Sequence, residues 1–250
     1  MMNETLKTLH SLRSIHGDFS DREIVDEDLQ AILDASVRAA NASARQSYSI
    51  VVVEDRDVMR QLCGYAGSNL LLFCVDYNRL TATAEHLGHT YTEGGVVSFV
   101  TGSTDTILAA QTAAIAAKSL GIDSLFTNGI HRGDMSRVYK LLDLPEKLCF
   151  PLIALVLGYP SKEPAYQKGR WVGPGVIHYG TYHPITAEEI DALIQRCDDP
   201  EAHLTLSDAW KDKGFAHYHD WFFKVWIGRG GPKAGKSQML ELLERAGFAE

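Results

Sequence analysis

The sequence predicts a chain of mixed α and β structure, and three observations carry that expectation. Segments of helical and strand period alternate from end to end; the strand-like runs are short, apolar and rich in β-branched residues; no repeat or low-complexity linker interrupts them. Leu6, Leu9 and Leu12 give a short amphipathic helix near the start, and a second helix is expected from about Asp26 to Ala40, with Leu29, Ile32, Leu33 and Val37 on one face. SIVVVE (49–54) and LLLFCVD (70–76) read as buried strands, being apolar and bounded by polar or turn residues. Residues 77–102 have no clear period. TDTILAAQTAAIAAKSL (104–120) carries six alanines and stops at Gly121, the composition of a central helix that neighbours approach closely. A strand at 123–128, a helix through Met135, Val138, Leu141 and Leu142 that ends before Pro145, and a strand at 150–160 follow. Thr186 and Glu189 form a capping-box signature for a helix over 187–197. Beyond it, Trp210, Phe215, Tyr218, Trp221, Phe222, Phe223 and Trp226 predict an aromatic segment docked on the main body or on a partner subunit, with a substrate-capping lid as the alternative. A final helix is expected around Met239 to Arg245.

The 250 residues carry 24 Lys+Arg against 32 Asp+Glu, a formal charge of −8. That balance argues against nucleic acid or an anionic membrane as partner, and leaves a small anionic ligand open. Cys63, Cys74, Cys149 and Cys197 form no C-x-x-C pair, which predicts reduced thiols and a cytoplasmic protein. The longest apolar runs, such as PLIALVLG at 151–158, are too short to span a bilayer. GGPKAGKS at 230–237 satisfies the phosphate-loop pattern, but only 13 residues follow Ser237, so the strand that completes such a magnesium site does not come after it. The expected reading is a surface turn with Ser237 capping the last helix. Lys233 and Lys236 meeting a dinucleotide phosphate is a second option. Glu85, His86 and His89, and separately His217, His219 and Asp220, do not make complete metal-ligand sets.

Three segments make a more coherent case. LRSIHGDFSDREI (12–24) places Arg13, Ser14 and His16 just after a helix; RAANASARQSYSIVVV (38–53) breaks from a helix end into small and polar residues before a strand; GIDSLFTNGI (121–130) accompanies LGYP (157–160) and YQKGR (166–170). Together these resemble the FMN-dependent nitroreductase family over about residues 5–170. FCVDYNR (73–79), DTILAAQTAAIAAKSLGI (105–122), LLDLP (141–145) and LLERAGF (242–248) are similar to its branch of NADPH-preferring nitroreductases and flavin reductases.

The resemblance implies an α+β fold, a mixed central sheet flanked by helices, and an interlocked homodimer. It implies one domain over 1–250, with a flavin-binding core at 5–170 and a C-terminal extension at 171–250 that wraps the core or the partner. By the same resemblance Arg13, Ser14, His16, Lys168 and Arg170 meet the FMN phosphate, where charge-assisted hydrogen bonds are the strong contacts. Asn41, Ala42, Ser43 and Gln46 would line the ring, and a backbone N–H of the turn Thr127–Asn128–Gly129 would sit near flavin N5 and O4. The implied activity is hydride transfer from NADPH or NADH through flavin N5 to a nitroaromatic, quinone or flavin acceptor, with no side chain needed as acid or base. A flavin-binding protein with little reductase activity is the alternative. Several positions depart from the family. Leu12 and His16 stand where basic residues are common, which leaves the phosphate grip poorer in fixed charge. The segment between Gly64 and Leu70 is short, so the acceptor pocket does not follow from the resemblance.

Overall fold

The computed structural model describes residues 2–227 and 237–249. Their elements are, in order, α1 (Glu4–Ser11), α2 (Asp26–Ser36), β1 (Tyr48–Val53), α3 (Arg56–Cys63), β2 (Asn69–Asp76), α4 (Asn78–His86), α5 (Gly95–Ser119), β3 (Asp123–Thr127), α6 (Ser136–Leu142), β4 (Cys149–Gly158), α7 (Ala187–Asp198), α8 (Tyr218–Trp221) and α9 (Gln238–Arg245). Two compact units divide the chain. The larger holds everything up to Glu163 together with the C-terminal residues from Ser237, and the smaller begins at Pro164. The last helix, α9, belongs to the larger unit.

In the larger unit the four strands run in the order β1-β2-β4-β3 and every neighbouring pair is antiparallel. The parallel component of the expected mixed sheet is limited, among the described residues, to a single bridge between Ser14 and Ser124. Side chains alternate across the central strands with period two. Leu71, Phe73, Leu155 and Leu157 face a core shared with Ile32 of α2 and Ala109, Ala110, Ala113, Ala114 and Ala117 of α5. Leu70, Leu72, Cys74, Ala154 and Val156 face the opposite core, with Met59 and Leu62 of α3 and Val138 of α6. The sheet therefore lies between two helical layers. The alanines let α5 lie close to both α2 and the sheet. At one end of the sheet Val75, Tyr77 and Phe150 are closed over by Leu242, Ala246 and Phe248 from the α9 region.

Three expectations are corrected. Strand β1 is an edge strand with a half-exposed face, so of the two runs read as buried strands, 49–54 and 70–76, only the second, β2, is buried along its length up to Asp76. Helix α2 stops at Ser36, whose hydroxyl donates to the Ala109 carbonyl of α5 at 2.9 Å; Val37 lies past the helix end and is exposed. The stretch without clear period holds α4 and the first two turns of α5. Those turns, GVVSFVTGS, mix glycine with β-branched residues of weak helical preference, and packing of Gly102 against Val75 and Tyr77 overrides it.

In the smaller unit α7 starts with the expected capping box: Thr186 Oγ1 accepts from Glu189 N at 3.3 Å, and Glu189 Oε2 accepts from Thr186 N at 2.9 Å. Trp210, Tyr218 and Trp221 pack on Cys197 with Leu193, Phe215 and Phe222, so these aromatics build a small core of their own. The GGPKAGKS segment lies outside the described residues except for Ser237, whose hydroxyl caps α9 by accepting from Leu240 N at 3.2 Å. Among the described residues no helix is long and apolar enough to cross a membrane.

Candidate functional site

The N-terminal segment runs beside β3. Ile15 N donates to the Ser124 carbonyl at 3.1 Å, which fixes Arg13, Ser14 and His16 along the strand that ends in Thr127. Arg13 turns inward. Its Nε and Nη2 donate to Asp123 at 2.5–3.0 Å, and its Nη1 donates to Glu163 at 2.7 Å. Lys118 Nζ adds a third bond to Asp123, at 2.7 Å. Burial would push the Asp123 carboxyl up, but the hydrogen bonds from Arg13 and Lys118 outweigh it and hold the group below its ordinary range. Its hydrogen bonds to Asp123 and Glu163 push the Arg13 guanidinium up. Two positive and two negative groups thus balance, and the charge that the sequence assigns to an anion is matched first by protein carboxylates. Ser14 and His16 are exposed, and among the described residues no hydrogen bond engages their side chains.

The turn after β3 comes close to the same place. A β-carbon on Gly129 would lie 2.3 Å from the Cys63 carbonyl oxygen at the end of α3, so only glycine fits there. Two residues on, Tyr65 lies within 3.4 Å of the β-carbon position of Gly17, next to His16. The end of α3 therefore touches both the 13–17 segment and the 127–129 turn. Gly129 is buried, and its N–H donates to Thr127 Oγ1 at 2.9 Å. Asn128 is the exposed member of the turn.

The third segment, 41–47, is held by α5, α4 and the end of β2. Ser43, Ala44 and Gln46 all have left-handed backbone, with φ of 54°, 55° and 48°. Asn41 Oδ1 accepts from Gln46 N at 3.2 Å, and Ala42 N donates to Asp105 Oδ1 at 2.8 Å. Ser47 N donates to the other oxygen of Asp105 at 3.2 Å, and Arg79 Nη2 donates to the carbonyls of Arg45 and Gln46 at 2.7 and 2.8 Å. Arg45 in turn pairs with Glu93 at 2.9 Å. Ser43 and Ala44 are exposed.

Lys168 and Arg170 belong to the smaller unit. Lys168 Nζ donates to the Thr205 carbonyl at 2.7 Å and lies 5.3 Å from the centre of the Tyr166 ring, which stacks on His203. Arg170 is exposed, and its Nη1 donates to the Lys168 and Gly169 carbonyls. His217 Nδ1 meets Asp198 at 2.7 Å, and that hydrogen bond raises the imidazole above its ordinary value. Among the described residues no group of three His, Cys, Asp or Glu side chains is placed to hold a metal.

Asp105, Arg79 and Asp123 are functional candidates that the sequence reading passes over. Asp105 had a signal, as the only acid in the alanine-rich stretch 104–120. An isolated carboxylate on a helix that packs on both sides has to find donors.

The donor set suits a ligand with an anionic end and a flat end. Hydroxyl and imidazole donors stand open at Ser14 and His16, and in the 41–47 segment the small residues Ser43 and Ala44 are exposed. Comparison with known proteins gives the same direction. No family model matches the chain. It is 32% identical over 208 residues to an FMN reductase [NAD(P)H] of Bacillus subtilis, a match covering 79% of this chain and 81% of that protein. An oxygen-insensitive NADPH nitroreductase of Salmonella typhimurium is 29% identical over 263 residues, covering 99% of each. The solved structure of NfrA2 from B. megaterium superposes with a TM-score of 0.82 at 27% identity and 99% coverage of both chains.

Proposed function

The chain belongs to the family of NADPH-preferring nitroreductases and flavin reductases, and from that premise we propose that it is an FMN-dependent NAD(P)H oxidoreductase. When bound, FMN would supply the redox chemistry, two-electron transfer between NADPH or NADH and a nitroaromatic, quinone or flavin acceptor. The chain's own residues bind and orient. Ser14 and His16 offer donors to the phosphate; Arg13 fixes their segment through Asp123 and can offer Nη1, whose present partner Glu163 is solvent-exposed. Asn41, Ala42, Ser43 and Gln46 form the ring-facing surface. In the turn Thr127 orders Gly129, and exposed Asn128 carries the contact to the polar edge of the ring. Lys168 and Arg170 are the smaller unit's anion ligands by the family resemblance.

The observation that carries this reading is the exposed pair of small residues Ser43 and Ala44 in left-handed backbone, which gives a planar ring system a surface free of bulky side chains. A homodimer belongs to the proposal. It is supported by the apolar stripe on α5, where Val96, Val97, Val100, Ile107 and Leu108 are exposed. Four buried, unpaired thiols support a cytoplasmic setting.

The test is the visible spectrum of the purified protein, the identity of the released chromophore, and anaerobic oxidation of NADPH with a nitroaromatic acceptor. A yellow protein that releases FMN and oxidises NADPH is expected. A protein that binds no flavin overturns the assignment.

A further inference from the structure

We propose that Asp105 and Arg79 are positioning residues that hold the 42–47 loop in a strained backbone and so keep the flavin surface formed before any flavin arrives. The inference rests on the functional reading above, because it takes Ala42, Ser43 and Gln46 as ring-facing. Left-handed backbone is unfavourable for residues with a β-carbon, and here three of four consecutive positions adopt it. Such a cluster persists only where the surroundings over-determine it.

The surroundings do so from two sides. Asp105, 1% exposed, uses one oxygen at each end of the loop, accepting from Ala42 N and Ser47 N. It projects from α5, whose alanines are locked against the sheet and whose Ala109 carbonyl is tied to α2 by Ser36. Arg79, in the first turn of α4, holds the Arg45 and Gln46 carbonyls with a single nitrogen. One rigid helix thus fixes the loop's N–H groups and another fixes its carbonyls. From within the loop Asn41 Oδ1 accepts from Gln46 N, and the Ala42 carbonyl accepts from Arg45 N at 3.0 Å. Ser43 and Ala44 are the exposed members of the loop.

Flavin-free protein titrated with FMN, followed by quenching of flavin fluorescence, tests this. If removing the carboxylate leaves the loop correctly formed in about one molecule in ten, the apparent Kd of Asp105→Ala rises about tenfold. Asp105→Asn is expected to lose less, because its amide oxygen still accepts from one of the two N–H groups. Arg79→Gln weakens binding in the same direction. The deciding variant adds Ser43→Gly and Ala44→Gly to Asp105→Ala. Glycine takes positive φ freely, so most of the lost affinity returns if Asp105 acts by holding the backbone. A general loss of packing would gain nothing from those glycines. Unchanged affinity in Asp105→Asn and Arg79→Gln with circular dichroism of a folded protein overturns the proposal, as does a loss that the glycines fail to restore. Should Asp105→Ala not fold, Asp105→Asn and Arg79→Gln with the same glycine pair decide the matter. A wild-type protein that binds no FMN defeats the functional reading itself, whereas wild-type binding with indifferent variants defeats this inference alone.

Discussion

Asp123 shows how one buried carboxylate sets the character of its surroundings. It is 3% exposed and accepts from both Arg13 and Lys118, so its charged form is stabilised by two cations inside the fold. Removing one partner of a buried pair leaves the others uncompensated, and Asp123→Asn is expected to cost about 3 kcal/mol in thermal or denaturant unfolding. The pH dependence follows from the direction of the shift. The folded carboxyl lies below its ordinary value of 3.8, so its contribution is fully present above that pH and is lost as pH falls through the folded value. Melting temperatures taken from pH 7 downward should fall on the acid limb, below about pH 4, more steeply in the wild type than in Asp123→Asn. Equal slopes refute the assignment. This residue also explains why the candidate anion site was only partly legible. The family resemblance implies Arg13 as an anion ligand, but its first partner is 110 positions away, and nothing local in either segment announces the pairing. Similarly, Gly129 is recognisable as a required glycine, while the capture of its N–H by the Thr127 hydroxyl depends on a rotamer that the order of residues does not reveal.

Elements that repeat one physical rule along their length were the readable ones. Strands β2 and β4 are continuous apolar runs because both faces are covered, and α5 declares its buried half through alanines spaced to face α2 and the sheet. The first turns of α5 and the whole of α4 lack such regularity. Their formation depends on tertiary contacts, among them Tyr77 donating to the Ser98 carbonyl at 2.8 Å, so local preference alone misjudges them. The junction between α3 and the 127–129 turn is an exacting contact between elements. Gly129→Ala sets a methyl group 2.3 Å from a backbone oxygen that has no flexible side chain to yield. It is expected to destabilise the protein by about 1–3 kcal/mol and to displace the turn. Thermal unfolding with FMN titration checks this, and a variant matching the wild type in both would show that α3 can retreat freely.

For the whole molecule, the exposed stripe on α5 is the feature that a single chain leaves unused. Val97 is 80% exposed, and Val100, Ile107 and Leu108 continue the row at helical spacing. If two copies bury it, sedimentation equilibrium gives twice the chain mass for the wild type, and the pair Val97→Lys with Leu108→Glu shifts the protein to single chains. A monomeric wild type at micromolar concentration rules the dimer out.

The return of α9 also matters for the order in which the molecule can be built. Phe248 is buried against Tyr77 and Phe99, and beside it the Gly247 and Ala246 carbonyls accept from Gly95 N at the start of α5 and from Leu148 N. During synthesis the sheet and its helices emerge first, with one end of their core uncovered, and wait for the segment from Leu242 to Phe248 to leave the ribosome. Until then the nascent chain displays Tyr77, Phe99 and Phe150 as a sticky end, a natural point of engagement for a chaperone.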